Sequence, residues 1–222
     1  MTAAPAPKSF FLGADVHEYL VAHGSPPDSV AAALIAETAQ LGGVSMMQVA
    51  PEQGAFLTLL TRVLGARNAV EVGTFTGYSA LCIARGLADG GRLLCCDVSD
   101  EWTAIGRPHW AAAGVADRID LRIAPAIETL RALPASPTID LAFIDADKPS
   151  YAAYYEELLA RLAPRGVILV DNVLWSGAVV DPDATDENTL AIKAFNDLVA
   201  ADDRVDAVML PISDGLTMIV RR

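Results

Sequence analysis

"DAVMLPISDGLTMIVRR", Asp206 to Arg222, closes the chain and decides the fold. Two apolar runs, "DAVMLPI" and "LTMIVRR", are separated only by Ser213, Asp214 and Gly215, which is a connection of hairpin length. Parallel neighbours need a crossover of about a dozen residues or more. The last strand is therefore predicted to run antiparallel to its neighbour.

Five further apolar runs precede this hairpin, with helical stretches between them. They are "AVEVG" (69–73), "RLLCCDV" (92–98), "RIDLRIA" (118–124), "IDLAFID" (139–145) and "GVILVDNV" (166–173). Runs of this kind are typical of strands covered on both faces, and intervening helices predict parallel strands joined by right-handed crossovers. The expected fold is an α/β, Rossmann-like sheet of six parallel strands and a reversed seventh, with helices on both faces. That pattern is typical of class I methyltransferases rather than dehydrogenases.

The chain is predicted to form a single domain over residues 1–222, in which residues 1–45 form a helical N-terminal extension. Its net charge of −12 and the lack of a basic stripe argue against nucleic acid as a partner. Cys82, Cys95 and Cys96 lack metal-ligand spacing and are expected to be buried thiols, as in a reducing cytoplasm. Neither a signal peptide nor a membrane span is indicated, so a cytoplasmic location away from membranes is expected.

The end of the first strand carries a glycine-rich turn, "VEVGTFTGYSA", residues 70–80. Gly73 and Gly77 allow a ligand to approach the backbone closely, although a tight turn alone explains the pair equally well. The second strand ends in Asp97, 24 residues after Gly73, where an acid is placed for ribose hydroxyls in doubly wound folds. Together these features predict a nucleoside site, but they do not separate S-adenosylmethionine from NAD.

Oxygen-bearing side chains end the fourth and fifth strands. Asp145 ends one, and Asp171 with Asn172 ends the other. If the two strands are neighbours, these oxygens meet, and they suit Mg²⁺, with Mn²⁺ or Ca²⁺ as alternatives. The competing interpretation is that Asp145 caps a helix and that Asp171-Asn172 begins a turn. Lys148 follows within three residues of Asp145 in a first helical turn, which disfavours a cation unless the site needs one.

Three blocks carry a family resemblance: "VEVGTFTGYSAL", the stretch from "FIDADKPSY" to "DNVLWSGAVVD", and the C-terminal "ADDRVDAVMLPISDGLTMIVRR". The chain resembles the cation-dependent class I O-methyltransferases, which include catechol and caffeoyl-CoA O-methyltransferases. Its bacterial small-molecule branch is the most similar. The resemblance implies methyl transfer from S-adenosylmethionine to a catechol-type vicinal hydroxyl.

The resemblance also implies residue roles. Asp145, Asp171 and Asn172 match the metal ligands, and Lys148 and Asp145 match catalytic positions. The cofactor-lining positions are Val49, Glu71, Gly73, Phe75, Ser79, Asp97, Val98, Ala126 and Asp145. Trp175 and the tyrosines at 151–155 either border the acceptor pocket or pack in the core.

Three points follow as expectations about partners. The acceptor is expected to be a small phenol or catechol, because the loop "SGAVVDPDATDEN" (176–188) is acidic and would repel the phosphates of a CoA thioester. A caffeoyl-CoA-type thioester acceptor and, with less support, an NAD-dependent oxidoreductase are the alternatives. A homodimer is expected from the family and from the apolar N-terminal segment.

Overall fold

The structure, a computed structural model, describes residues 11–222 as a seven-stranded sheet with helices on both faces. The strands are β1 (Asn68–Val72), β2 (Arg92–Asp97), β3 (Ile119–Ile123), β4 (Ile139–Ile144), β5 (Leu162–Asp171), β6 (Val205–Leu210) and β7 (Leu216–Arg221). Each falls on one of the apolar runs, although β5 begins four residues earlier than the run that predicted it.

The strand order is β3-β2-β1-β4-β5-β7-β6. Strands β1 to β5 pair in parallel, and β7 is antiparallel to both β5 and β6, so the predicted topology is confirmed. The connection between β6 and β7 is longer than the sequence suggested, because Pro211 and Ile212 lie outside the strands. Proline lacks the N–H that a ladder position would need.

Eight α-helices surround the sheet. They are α1 (Ala14–Ala22), α2 (Ser29–Ala39), α3 (Pro51–Leu64), α4 (Tyr78–Gly86), α5 (Asp100–Ala112), α6 (Ala126–Ala132), α7 (Tyr151–Arg161) and α8 (Glu187–Ala201). Residues of α2 to α5 pack in the core on one face of the sheet, whereas residues of α6, α7 and α8 pack in the core on the other.

The two edge strands correct one expectation. Most side chains of β3 and β6 are partly or fully exposed, so these strands are not covered on both faces as the runs suggested. An edge strand has a neighbour on one side only, and solvent reaches its margin.

The N-terminal extension is helical where the structure describes it, and its first ten residues lie outside the described part. Helix α2 begins at Asp28, whose side chain accepts a hydrogen bond from the Ala31 amide, as an N-cap does. Helix α3 begins with Pro51 and ends at Gly65, whose φ of 61° is the left-handed conformation that glycine supplies at helix ends. Helix α1 has no buried residue.

Two smaller expectations can be compared with the structure. Cys82, Cys95 and Cys96 are buried free thiols, as predicted. Among residues 11–222, no helix has the length and apolar character needed to cross a membrane.

Candidate active site

The site lies where the strand order reverses between β1 and β4. Chain connections leave this point in opposite directions, which opens a crevice at the carboxyl ends of the strands. Gly73 follows β1 with a φ of 90°, and Asp145 follows β4. A Cβ at position 73 would overlap the carbonyl oxygen of Asp145. Gly73 is therefore required by the close approach of these two strand ends.

Asp97 holds the glycine-rich turn in shape. Its Oδ2 accepts hydrogen bonds from the amides of Thr74 and Phe75, both at 2.8 Å, and its Oδ1 accepts one from Ser99 at 2.8 Å. Phe75 has a φ of 51°, which is unusual for a residue with a side chain. The carboxylate therefore lies at the end of β2 as predicted and stabilises a strained turn as well.

Glu71 is buried beneath this turn, with 0% of its surface exposed. Within residues 11–222 neither carboxylate oxygen makes a hydrogen bond of normal geometry. Burial raises the pKa of Glu71 to about 7, although the nearby Ser79 and Thr74 hydroxyls and the Cys95 thiol oppose the shift. A buried carboxyl group without hydrogen bonds is costly and fits a site that a cationic ligand completes.

The other cofactor positions are spread around the crevice. Val49 and Ser79 are buried, at the start of α3 and within α4, and Ala126 is buried at the start of α6. Val98, directly after Asp97, is 74% exposed. Trp102 was missed by sequence reasoning; its ring lies edge-on to Phe75, with centroids 5.2 Å apart. An aromatic residue in the first turn after the acid was the available signal.

Lys148 joins the ends of β4 and β5. Its Nζ lies 3.1 Å from Oδ1 of Asp145, 2.7 Å from Oδ1 of Asn172 and 2.6 Å from the hydroxyl of Tyr151. The lysine is 7% exposed. The structure therefore brings Asp145, Asn172 and Lys148 together as the sequence predicted, and the Asp145 side chain binds Lys148 instead of capping a helix.

Asp171 completes this cluster at the end of β5. It is 2% exposed, and its Oδ1 accepts a hydrogen bond from the amide of Asn172. Burial, followed by the charge of Asp145, raises the pKa of Asp171, while Gln53, the Asn172 amide and Lys148 oppose the shift. Gln53 of α3 is fully buried, and sequence reasoning missed it because it lies far from the strand-end motifs.

The donor set around Asp171 suits a hard divalent cation. Two carboxylates and one amide oxygen converge, and one lysine is the charge that opposes them. Among the described residues no group of three His, Cys, Asp or Glu side chains forms a metal cluster, because the third member here is the amide of Asn172.

The aromatic residues divide between core and site. Tyr155 is fully buried and Tyr154 is nearly so, and both belong to the core beneath α7. Tyr151 is also buried, but its hydroxyl bridges Lys148 and the carbonyl oxygen of Asp171, which it donates to at 3.2 Å. The ring of Trp175 lies 5.5 Å from Nζ of Lys148 and is partly exposed. Trp175 is therefore the aromatic residue placed to border an acceptor.

Comparison with known proteins adds a family to this geometry. The model of the family described as O-methyltransferase matches residues 23–222. A Dictyostelium discoideum protein named "Probable caffeoyl-CoA O-methyltransferase 1" is 41% identical over 207 residues, covering 91% of this chain and 90% of that protein. The mouse "Catechol O-methyltransferase domain-containing protein 1" is 42% identical over 179 residues, covering 79% of this chain and 68% of that protein.

A solved structure agrees. The O-methyltransferase from Bacillus cereus in complex with SAH superposes with a TM-score of 0.84 at 35% identity, covering 94% of this chain and 97% of that one. The match to the family model extends over nearly the whole described chain, including the glycine-rich turn and both acidic strand ends. The chain belongs to the O-methyltransferase family.

Proposed function

We propose that this protein transfers a methyl group from S-adenosylmethionine to one hydroxyl of a small catechol-type acceptor, and that it requires a divalent cation. One observation carries the proposal: Lys148 lies between Asp145 and Asn172, beside the buried carboxylate of Asp171. That arrangement offers oxygen ligands and a proton-handling amine at one point. The family assignment favours methyl transfer over the hydride transfer of an NAD-dependent oxidoreductase.

Asp145, Asp171 and Asn172 are the residues that would hold the cation. Asp171 is buried close to the charge of Asp145, and both effects raise its pKa. A divalent cation would offset this repulsion, which the single charge of Lys148 does only in part. When bound, the cation supplies Lewis acidity that makes an acceptor hydroxyl more acidic.

Four features support S-adenosylmethionine as the methyl donor. Gly73 leaves space at the β1–β4 crevice, Asp97 stands at the end of β2, and Glu71 presents a buried carboxyl group without hydrogen-bond partners in the described chain. S-Adenosylmethionine carries a ribose diol and positive charge, which match Asp97 and Glu71 respectively. The Bacillus cereus relative has SAH bound, which is the demethylated form of the same cofactor.

The chain's own residues orient the reactants and handle the proton. Asn172 and Tyr151 fix Nζ of Lys148 by hydrogen bonds of 2.7 and 2.6 Å. We assign to this nitrogen the proton that the acceptor hydroxyl releases. Trp175 covers the lysine on its partly exposed side, where it can hold an aromatic ring and exclude water. The remaining rate gain comes from positioning the two reacting groups.

The acidic loop gives weaker support for a free catechol than the sequence implied. Asp186 caps α8, and its side chain accepts hydrogen bonds from the amide and hydroxyl of Thr189. Lys193 donates to the carbonyl oxygen of Asp181 at 2.7 Å, which adds a positive charge to the loop. Asp183 and Glu187 stay exposed. The loop is acidic overall, so a small phenol is the favoured acceptor, with a caffeoyl-CoA-type thioester as the second candidate because of the Dictyostelium relative's name.

A homodimer is the proposed assembly. Helix α1 buries none of its residues, and Val16, Tyr19 and Leu20 are 56%, 64% and 40% exposed. Val44 and Met47 in the following 3-10 helix are also exposed. An apolar surface of this kind on a helix that is not buried in its own chain is typical of a protein contact.

The direct test is an assay with labelled S-adenosylmethionine and a panel of catechols, flavonoids and acyl-CoA phenolics, with and without Mg²⁺. Methyl incorporation into vicinal diols that EDTA abolishes and Mg²⁺ or Mn²⁺ restores is the expected result. Full activity after rigorous metal removal would contradict the cation, and no transfer to any phenol would contradict the acceptor class.

A further inference from the structure

The turn between β6 and β7 lies against the segment that follows β5. The carbonyl oxygen of Gly215 accepts a hydrogen bond from Val173 at 3.2 Å, and that of Asp214 accepts one from Leu174 at 3.1 Å. The Asp214 side chain adds a third bond, because its Oδ1 accepts from the amide of Ser176 at 2.6 Å. Two residues of the turn thus fix three amides of the segment.

This segment has a strained backbone. Among residues 11–222, the non-glycine residues with positive φ are Phe75, Asn172, Trp175, Ser176 and Ser213. All but the first lie in the β5 exit or in the turn that holds it. Left-handed conformations at such residues cost free energy and persist only where neighbouring structure imposes them. The hydrogen bonds from the turn are the contacts that can impose them here.

The same segment carries the side chains proposed to meet the acceptor. Asn172 binds Lys148, and the ring of Trp175 lies over that lysine. Asp214 is close to this cluster, because the charges of Lys148 and Asp145 both act on its pKa, which burial raises. Asp214 hydrogen-bonds to the segment through the amide of Ser176 rather than to the cluster.

We propose that Asp214 is a positioning residue for acceptor binding, which fixes Trp175 through its hydrogen bond to the amide of Ser176. The bond is short and has a charged acceptor, and bonds of that type are stronger than neutral ones. Its loss would release a strained backbone next to the acceptor ring while leaving the S-adenosylmethionine crevice at β1 and β2 unchanged. This inference rests on the proposed function, since it assumes that the acceptor lies against Trp175.

Three variants test the role. Asp214→Ala removes the acceptor of the bond, whereas Asp214→Asn keeps an oxygen that can accept from Ser176 and removes only the charge. Asp206→Ala is the matched control, because Asp206 lies on β6 of the same hairpin, is exposed and pairs with Arg222. For each variant the acceptor KM, the S-adenosylmethionine KM, kcat, and amide hydrogen exchange over residues 172–177 are measured.

Asp214→Ala is expected to raise the acceptor KM about tenfold, the equivalent of one lost hydrogen bond, with no change in the S-adenosylmethionine KM. Exchange at Ser176 should accelerate in the same variant. Asp214→Asn should restore both quantities close to wild-type values, and Asp206→Ala should change neither.

Three outcomes would overturn the inference: an unchanged acceptor KM in Asp214→Ala, an equal rise in both KM values, or an Asp214→Asn variant as impaired as Asp214→Ala. A wild-type protein that methylates no phenol would instead overturn the proposed function. In that case, the exchange measurement still decides whether Asp214 fixes the segment, and unchanged protection in Asp214→Ala would refute the positioning role by itself.

Discussion

The ammonium nitrogen of Lys148 lies 2.7 Å from Oδ1 of Asn172, so the end of β4 is tied directly to the end of β5. The same nitrogen lies 3.1 Å from Oδ1 of Asp145. A lysine therefore contacts two of the three oxygen donors that we assign to a divalent cation. Cation binding to those oxygens and the position of the lysine are thermodynamically linked, and each must affect the other.

Lys148→Ala is expected to lower kcat by ~10²–10⁴-fold, the usual contribution of a positioned acid or base. Affinity for Mn²⁺ should not fall, because the variant removes a positive charge that repels the cation. Calorimetric binding of S-adenosylhomocysteine should also be unchanged. Lys193→Ala is the control, since that lysine binds a loop carbonyl. A Lys148→Ala variant within a few-fold of wild type would show that the cation alone activates the acceptor.

Asp171→Asn should weaken divalent cation binding while leaving the fold intact. The substitution keeps the size of the side chain and an oxygen that can accept from the Asn172 amide, but removes a charge that burial already disfavours. We expect an affinity loss of at least about tenfold, or ~1.4 kcal/mol, in a Mn²⁺ titration. Asp117→Asn, an exposed acid near β3, is the control. Equal Mn²⁺ affinity in both variants would exclude Asp171 from the ligand set.

The strand-end residues could be predicted from the sequence because two physical rules apply to them. Apolar runs mark strands, and parallel strands present their carboxyl ends on one edge of the sheet. Asp97, Asp145, Asp171 and Asn172 all follow from these rules, and the short C-terminal connection gave the direction of the last strand. The pairing of β4 with β5, on which the site depends, was the expected neighbour relationship.

Other parts of the site depend on tertiary contacts that a local pattern does not contain. Gln53 resembles any residue of an amphipathic helix, and only the packing of α3 brings it to Asp171. Asp214 is an ordinary turn residue in the sequence, yet it binds the amide of Ser176, which lies 38 residues away. Tyr155 has the spacing of a site residue and of a core residue alike, and burial decided for the core.

Glu71 gives the apoprotein a pH-dependent stability. Its pKa is raised from 4.5 to about 7, so the folded state keeps a proton that the unfolded state releases. The carboxyl group costs no stability below about pH 4.5, and stability is lost as the pH rises through 7. At pH 8 the cost is on the order of 3 kcal/mol, from the size of the shift.

Glu71→Gln should therefore unfold at higher denaturant concentration than wild type at pH 8, and the difference should shrink at pH 5. The same variant should bind S-adenosylmethionine more weakly, because the carboxylate is the charge proposed to meet the cofactor. Glu128→Gln, an exposed glutamate on α6, is the control. A stability difference that does not change between pH 5 and pH 8 would show that Glu71 is ionised in the folded protein throughout this range.

Tyr19→Glu should dissociate the proposed dimer, because a charge on the exposed face of α1 would have to be desolvated at the contact. Light scattering at micromolar concentration measures the mass. Val208→Glu, a similar change on the exposed edge strand β6, should leave the mass unchanged. A wild-type monomer under these conditions would contradict the assembly.

The acceptor is expected to be a free catechol in preference to a CoA thioester. Asp181, Asp183 and Glu187 lie in the loop between the 3-10 helix Trp175–Val180 and the first turn of α8, close in sequence to Trp175. Like charges repel the CoA phosphates and slow their association, most strongly at low ionic strength.

We expect kcat/KM for a simple catechol to exceed that for caffeoyl-CoA, and the gap to narrow as salt is added. An Asp183→Asn/Glu187→Gln double variant should raise kcat/KM for the thioester and leave that for catechol unchanged. Lys193→Ala should have the opposite effect on the thioester, because this lysine adds a positive charge to the same loop. A wild-type preference for the thioester that persists across ionic strengths would refute the charge argument, because the bases that bind CoA would then have to lie outside this loop.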